Sequence, residues 1–168
     1  MSQPQAFSWG ATAFGAGVIN TLINAPIGWA MVPEGGRLSV WTIPGVVPDL
    51  IITAYAIAFG TALIVTPQTR KQVASGKLLP PMLSDGMRAH FAAWPHSGFI
   101  RGIRLGMLSV GLFCPLPLLA LYGLGVQEVD RMTETLLKGG FSFIAGAAIT
   151  PFIAAAATVA PKLQPAKG

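Results

Sequence analysis

At 168 residues, 52% hydrophobic and only 10% charged, the chain carries far fewer charges than the roughly 25% of an ordinary soluble domain. Its formal net charge is +5, but a nucleic-acid footprint needs a basic face on a water-soluble fold, so nucleic acid is excluded as a partner. One cysteine, Cys114, sits inside an apolar run, which excludes an internal disulfide and a CxxC redox or metal site.

Four apolar runs, at 11–32, 50–67, 103–126 and 141–160, hold no charge in their middles. A helix crossing the hydrocarbon core needs about 17 to 25 predominantly apolar residues. All four runs supply that, the second only just. Barrel strands would be nearer ten residues with strict alternation, a pattern absent here. The sequence predicts an all-α integral membrane four-helix bundle forming a single transmembrane domain.

The first run lacks the basic leader of a signal peptide, since the first basic residue is Arg37, and it reads as a retained helix. Asn20 and Asn24 lie four apart and share one of its faces. An asparagine in hydrocarbon seeks an interhelical hydrogen bond worth about 0.6 to 2 kcal/mol. Thr53 or Tyr55 on the second helix would supply one, and Thr150 on the fourth completes a candidate polar intramembrane face. That face either ties helices together or lines a cavity for a polar ligand. Asp49, at the start of the second helix, complements the helix dipole and the orphan N–H groups.

The loop between the second and third helices holds one organised segment. Leu83, Met87, Phe91 and Trp94 recur at helical spacing, Ser84 and Asp85 offer a cap, and Pro95 ends the run. This predicts a short amphipathic helix over 83–94, lying at the interface with these four residues as anchors and membrane lipids as its partner. The apolar stripe either enters lipid or covers the bundle.

In the third and fourth helices small residues set the expected packing. The hydrophobic effect does not draw helices together in lipid, so close backbone approach must. Ala13 and Gly17, Gly102 and Gly106, and Gly146 with Thr150 provide such patches. Pro26, Pro115, Pro117 and Pro151 fall within apolar runs, where each removes a backbone donor. They predict kinks, or an opened helix lining a site.

The halves also resemble each other. Phe14, Gly17, Val18, Leu22, Ile23 and Asn24 overlay Phe99, Gly102, Ile103, Met107, Leu108 and Ser109 at an offset of 85, and Ile64-Val65-Thr66-Pro67 overlays Ala148-Ile149-Thr150-Pro151 at 84. The overlay predicts two parallel-repeat helical hairpins, against the alternative that apolar composition mimics repetition.

Charge sets the orientation. Arg70, Lys71, Lys77, Arg88, Arg101, Arg104, Lys162 and Lys167 fall on one side, against Arg37, Arg131 and Lys138 on the other. The positive-inside rule then places both termini and the middle loop in the cytoplasm. Ionisable residues sit only at the edges in this reading, which counts against an ion-coupled transporter.

The run Val18-Ile19-Asn20-Thr21-Leu22-Ile23-Asn24, followed by Trp41, Asp49 and Ile64-Val65-Thr66-Pro67-Gln68-Thr69-Arg70-Lys71, resembles uncharacterised small bacterial four-helix inner-membrane proteins. The likeness covers the first half, to about residue 75, and the second half by pattern alone. It implies a multi-pass protein of the bacterial inner membrane and carries no activity over.

No nucleophile elbow, P-loop, dinucleotide fingerprint or zinc motif is present, and His90 and His96 lie in the middle loop, outside any metal-ligand spacing. The chain therefore reads as a non-enzyme with no identified cofactor, although a bound lipid, quinone or carotenoid needs only a groove. Two functions fit. One is an accessory or structural subunit packed against other membrane-protein subunits of a larger, energy-transducing complex. The other is a small permease or channel for a neutral or lipidic solute, working as a homo-oligomer.

Overall fold

The computed structural model describes residues 4–159, most of them helical. Helix α1 spans Trp9–Met31, and Ser8 Oγ caps it by accepting from the Ala11 N–H at 3.3 Å. Helix α2 spans Val46–Ala74. It overruns the expected stop at Pro67 because Gln68, Arg70, Lys71 and Gln72 are good helix formers that continue past the apolar run. Helix α3 covers Asp85–Ala92, shorter than expected at both ends, with Ser84 Oγ accepting from the Met87 N–H as its cap.

The third run departs more. It starts at Gly98 and breaks at Cys114, ahead of Pro115 and Pro117, into α4 (Gly98–Phe113) and α5 (Pro115–Gly123). The last helix, α6, spans Arg131–Thr158 and so begins well before the apolar run. Asp130 Oδ1 accepts from the Thr133 N–H at 2.8 Å, a cap strong enough to carry the polar first turns into the helix. Short strands tie the ends together. Strand β1 (Gln5–Ala6) pairs in parallel with β3 (Leu78–Leu79), and β2 (Arg37–Ser39) pairs antiparallel with β4 (Glu128–Asp130).

Three stretches are long and apolar enough to cross a membrane: Val46–Ala74, Gly98–Gly123 and Arg131–Thr158. Helix α1, expected as a fourth, has 23 residues but is diluted by Asn20, Asn24 and several glycines. Large apolar side chains such as Leu22, Met107, Leu112, Leu136 and Ile144 stand exposed on the outer faces. The interior is instead small, with Ala54, Ala58, Ala62 and Ala145 fully buried. That inversion suits a lipid solvent.

The helices are not packed as two hairpins. Helix α1 lies along α6, α6 along α2 and α2 along α4, an open row in which consecutive α1 and α2 barely touch. Trp9 meets Phe152, so α1 runs antiparallel to α6, while Ser109 donates to the Ala54 carbonyl at 2.8 Å across the α2–α4 seam. Each half thus packs its first helix on the second helix of the other.

These two seams repeat one another. A Cβ on Gly17 would stand 2.7 Å from the Phe143 ring, and one on Gly102 would stand 2.9 Å from the Phe59 ring. Phe14 meets Phe143 edge-on at 6.1 Å, and Phe99 meets Phe59 edge-on at 5.6 Å. The paired residues stand 85 apart on the first helices and 84 apart on the second. Two apolar clusters close the two ends of the helices. Val32, Leu38, Val40, Val46, Leu50, Leu121 and Val129 form one. Phe91 with Ala155 and Ala156, against Phe7, Trp9, Leu83 and Trp94, forms the other.

Candidate functional site: a lateral groove and a buried charge cluster

Because α1 and α2 both lean on α6 without meeting, a groove of about 940 Å³ remains between them. Its walls are apolar, with Ile19, Ile23 and Ile27 on α1 facing Ile57, Ile64 and Val65 on α2, and Thr150 and Ala154 on α6 belong to its lining. Polar residues gather towards one end, where Gln5, Ser8 and Thr12 meet Gln68, Thr69 and Gln72.

The expected polar face divides. Asn20, Asn24 and Thr150 line the groove, and Thr53 and Tyr55 do not. Thr53 is buried on α2, while Tyr55 stacks on Phe59 at 5.7 Å and presses against Gly106 of α4. The asparagines make no bond to α2. Asn20 Nδ2 donates to the Ala16 carbonyl and Asn24 Nδ2 to the Asn20 carbonyl, each at 2.9 Å, so one turn of α1 satisfies them locally. The link from α1 to a neighbour runs instead through Thr21, whose hydroxyl donates to the Gly139 carbonyl at 3.1 Å.

The small residues hold the seams. Gly17, Gly102, Gly106 and Gly146 each face a side chain too close for a Cβ, and Ala13 is half-buried on α1. On the middle segment, Phe91 is buried and Leu83 and Trp94 are half-buried against the end of α6, while Met87 stays exposed. Three of the four anchors thus cover the helix row.

At the opposite end lies a cluster absent from the sequence reading. Lys138 Nζ donates to Asp49 Oδ1 and Oδ2 at 2.5 and 2.6 Å, with Lys138 2% exposed and Asp49 14%. One turn away, Glu134 is fully buried and neither carboxylate oxygen has a partner among the described residues. The neighbouring Arg131 is engaged elsewhere, its Nε donating to the Val32 carbonyl and its guanidinium lying 4.9 Å from the Trp29 ring centre. Glu134 and Lys138 lie in the first turns of α6, so these ionisable groups keep to a helix end, but both are buried against neighbouring helices. The spacing Glu134, Lys138, Ser142, Gly146, Thr150 carried the signal, since residues four apart share a helix face.

No protein-family model, curated protein or solved structure matches the chain.

Proposed function

We propose that this chain is a non-catalytic integral membrane protein that holds a lipidic molecule in the groove between α1 and α2. One observation supports this above the rest: the groove lies between two helices, with isoleucine-rich walls interrupted by Asn20, Asn24 and Thr61, and its polar residues are densest at one end. A molecule with an acyl or isoprenoid body and a compact polar head, such as a lipid or quinone, matches that gradient. The polar end lies beside Arg70, Lys71 and Lys77, at the face the positive-inside rule assigns to the cytoplasm. The setting we propose is a bacterial inner membrane with α1 as a fourth crossing and both termini cytoplasmic. Lys162 and Lys167, which contribute to that orientation, lie outside the described residues. The recurring Gly–Phe seams support descent of the two halves from one duplicated helix pair.

A second reading, the accessory subunit, draws on α1 itself. Among the long helices it packs only on α6, and Phe14, Ile19, Leu22 and Ile23 stand exposed along it. Such an edge suits a helix of a larger complex.

Gly60 lines the groove, and nothing lies within 4 Å of a Cβ built there, so Gly60→Leu fills the groove without disturbing a seam. Native mass spectrometry after gentle extraction should find one lipidic molecule per wild-type chain and at least tenfold less on Gly60→Leu. Equal retention by both overturns the groove reading. Native-gel migration with fixed-stoichiometry partners supports the subunit reading, and migration alone removes it.

A further inference from the structure

The polar residues buried along α6 are not required by the packing. Glu134, Lys138, Ser142, Gly146 and Thr150 follow one another every four residues, each beside the next, in a stripe that winds by about 40° per step around the helix. Advancing four residues along an α-helix covers about 6 Å, so the stripe is about 24 Å long and starts at Glu134 in the first turn of α6. Glu134 and Ser142 are fully buried, Thr150 is 6% exposed, and both Glu134 oxygens and both hydroxyls lack a partner among the described residues. At Gly146 the gap in the stripe is filled from α1: a Cβ there would stand 2.5 Å from Asn20 Nδ2. The polar groups therefore run Glu134, Lys138 with Asp49, Ser142, Asn20, Thr150. Thr150 lines the groove, whose polar end leads on through Thr12, Gln68 and Gln72.

Helix α2 supplies the contrast. The positions matched to this stripe by the offset of 84 are Leu50, Ala54, Ala58, Ala62 and Thr66. The first four are fully buried, so the equivalent face packs perfectly well when apolar. A buried unpartnered carboxylate or hydroxyl costs stability. Groups of this kind are ordinarily satisfied by ordered water. On α2 only Thr66, the counterpart of Thr150, is buried without a partner in the same way, so it is the excess on α6, at Glu134 and Ser142, that calls for a role beyond packing.

We propose that this stripe is a hydrated proton path along α6, with Glu134 as its proton-binding carboxyl and the groove as its other mouth. The charged groups beside Glu134 are Asp49 from α2 and Lys138 from its own helix; the parts of α1 packed here contribute Gly28 and Met31, and Arg131 is held away by Val32 and Trp29. Asp49 and Lys138 neutralise each other, which leaves Glu134 without a counter-charge. It gains its charge balance by taking up a proton from one side, then releases that proton to water held by Ser142, Asn20 and Thr150. No electron moves and no bond other than O–H changes. The proposal does not rest on the groove's lipidic ligand, because Glu134, Lys138 and Ser142 lie outside the groove lining.

The purified full chain, reconstituted in liposomes with a pH-sensitive dye inside and potassium with valinomycin as charge compensation, tests this. After a pH step, wild-type vesicles should equilibrate at least tenfold faster than empty ones. Glu134→Gln and, separately, Ser142→Ala should return the rate at least tenfold towards the empty level. Gly111→Ala, at an open position on α4, should conduct as wild type. Ser142→Ala removes only a hydroxyl and serves if Glu134→Gln fails to fold. Wild-type vesicles no faster than empty ones, or folded Glu134→Gln and Ser142→Ala as fast as wild type, overturn the proposal. Because Glu134 and Ser142 lie outside the groove lining, their variants should lose proton flux while keeping the groove's lipidic molecule in native mass spectrometry, and flux lost only together with that molecule would place the path in the groove and overturn the α6 stripe.

Discussion

Lys138 grips both carboxylate oxygens of Asp49, at 2.5 and 2.6 Å, and the pair joins α6 to α2 at the end opposite the groove's polar mouth. Lys138 is nearly buried and, among the described residues, the only other hydrogen-bond partner of its ammonium is Met31 Sδ at 3.6 Å. Removing one member strands the other charge in a dry setting, which costs about 3–5 kcal/mol, whereas replacing both with apolar groups is often neutral. Asp49→Asn and Lys138→Met should therefore each lower stability by about that amount in a detergent unfolding assay, and the double variant should cost much less than their sum. Additive losses would show that the two residues act separately.

The middle segment yields a second expectation. Phe91 is 4% exposed beneath α3 and packs with Ala155 and Ala156, while Met87 on the same helix is 40% exposed. Phe91→Ala should cost about 3–5 kcal/mol, the usual price of a buried aromatic truncated to alanine. Met87→Ala should fall within about 0.5 kcal/mol of wild type, as surface changes do. Thermal unfolding in detergent separates the two, and similar losses from both would mean that the whole stripe is held against protein.

How far the sequence could be read depended on which solvent each residue meets. Apolar runs announced three membrane-length helices because hydrocarbon demands them, and Ser84 announced the cap of α3 because an unpaired N–H needs an oxygen. Helix ends were read too short wherever polarity was taken as the limit: Asp130 starts α6 and Gln68 to Gln72 continue α2 outside the apolar core. Treating 131–140 as a loop also hid Glu134 and Lys138, whose inward face exists only once that segment is helical. The seams were legible as glycine patterns, but their partners were not. Consecutive helices were expected to pair, and nothing local to α1 records that its glycine face fits Phe143 on α6. The asparagines illustrate the remaining limit. Their presence was plain, but their satisfaction by carbonyls of their own helix depends on how far α2 stands from α1.

Asp130 gives a pH-dependent expectation outside the membrane-length helices. The Thr133 backbone N–H donates to its carboxylate, and together with the Thr133 side chain this holds the Asp130 pKa below the usual carboxylate range; Arg37 across the β2–β4 pair adds to the effect. A folded pKa below the unfolded one contributes stability that is present above the unfolded value and fades as pH falls through the folded value. Acid should thus loosen the first turn of α6 in wild type, and Asp130→Ala should remove that part of the acid dependence. Amide hydrogen exchange at Met132 to Glu134 would follow it, and an unchanged acid response in Asp130→Ala would assign the effect to another group.

The two Gly–Phe seams allow the sharpest structural test, because each is a control for the other. A methyl on Gly17 would sit 2.7 Å from Phe143, and one on Gly102 would sit 2.9 Å from Phe59, closer than real side-chain contacts allow. Overpacking of this kind costs about 1–3 kcal/mol. Gly17→Ala and Gly102→Ala should each lose stability in that range, while Gly15→Ala, with open space around it, should not. The crowding is side chain against ring, so trimming the ring should relieve it: Phe143→Leu should recover part of the Gly17→Ala loss and none of the Gly102→Ala loss, and Phe59→Leu should do the reverse. Rescue that ignores this pairing would mean that α1 does not lie on α6, nor α4 on α2, and the open row of helices, with the groove it creates, would have to be redrawn.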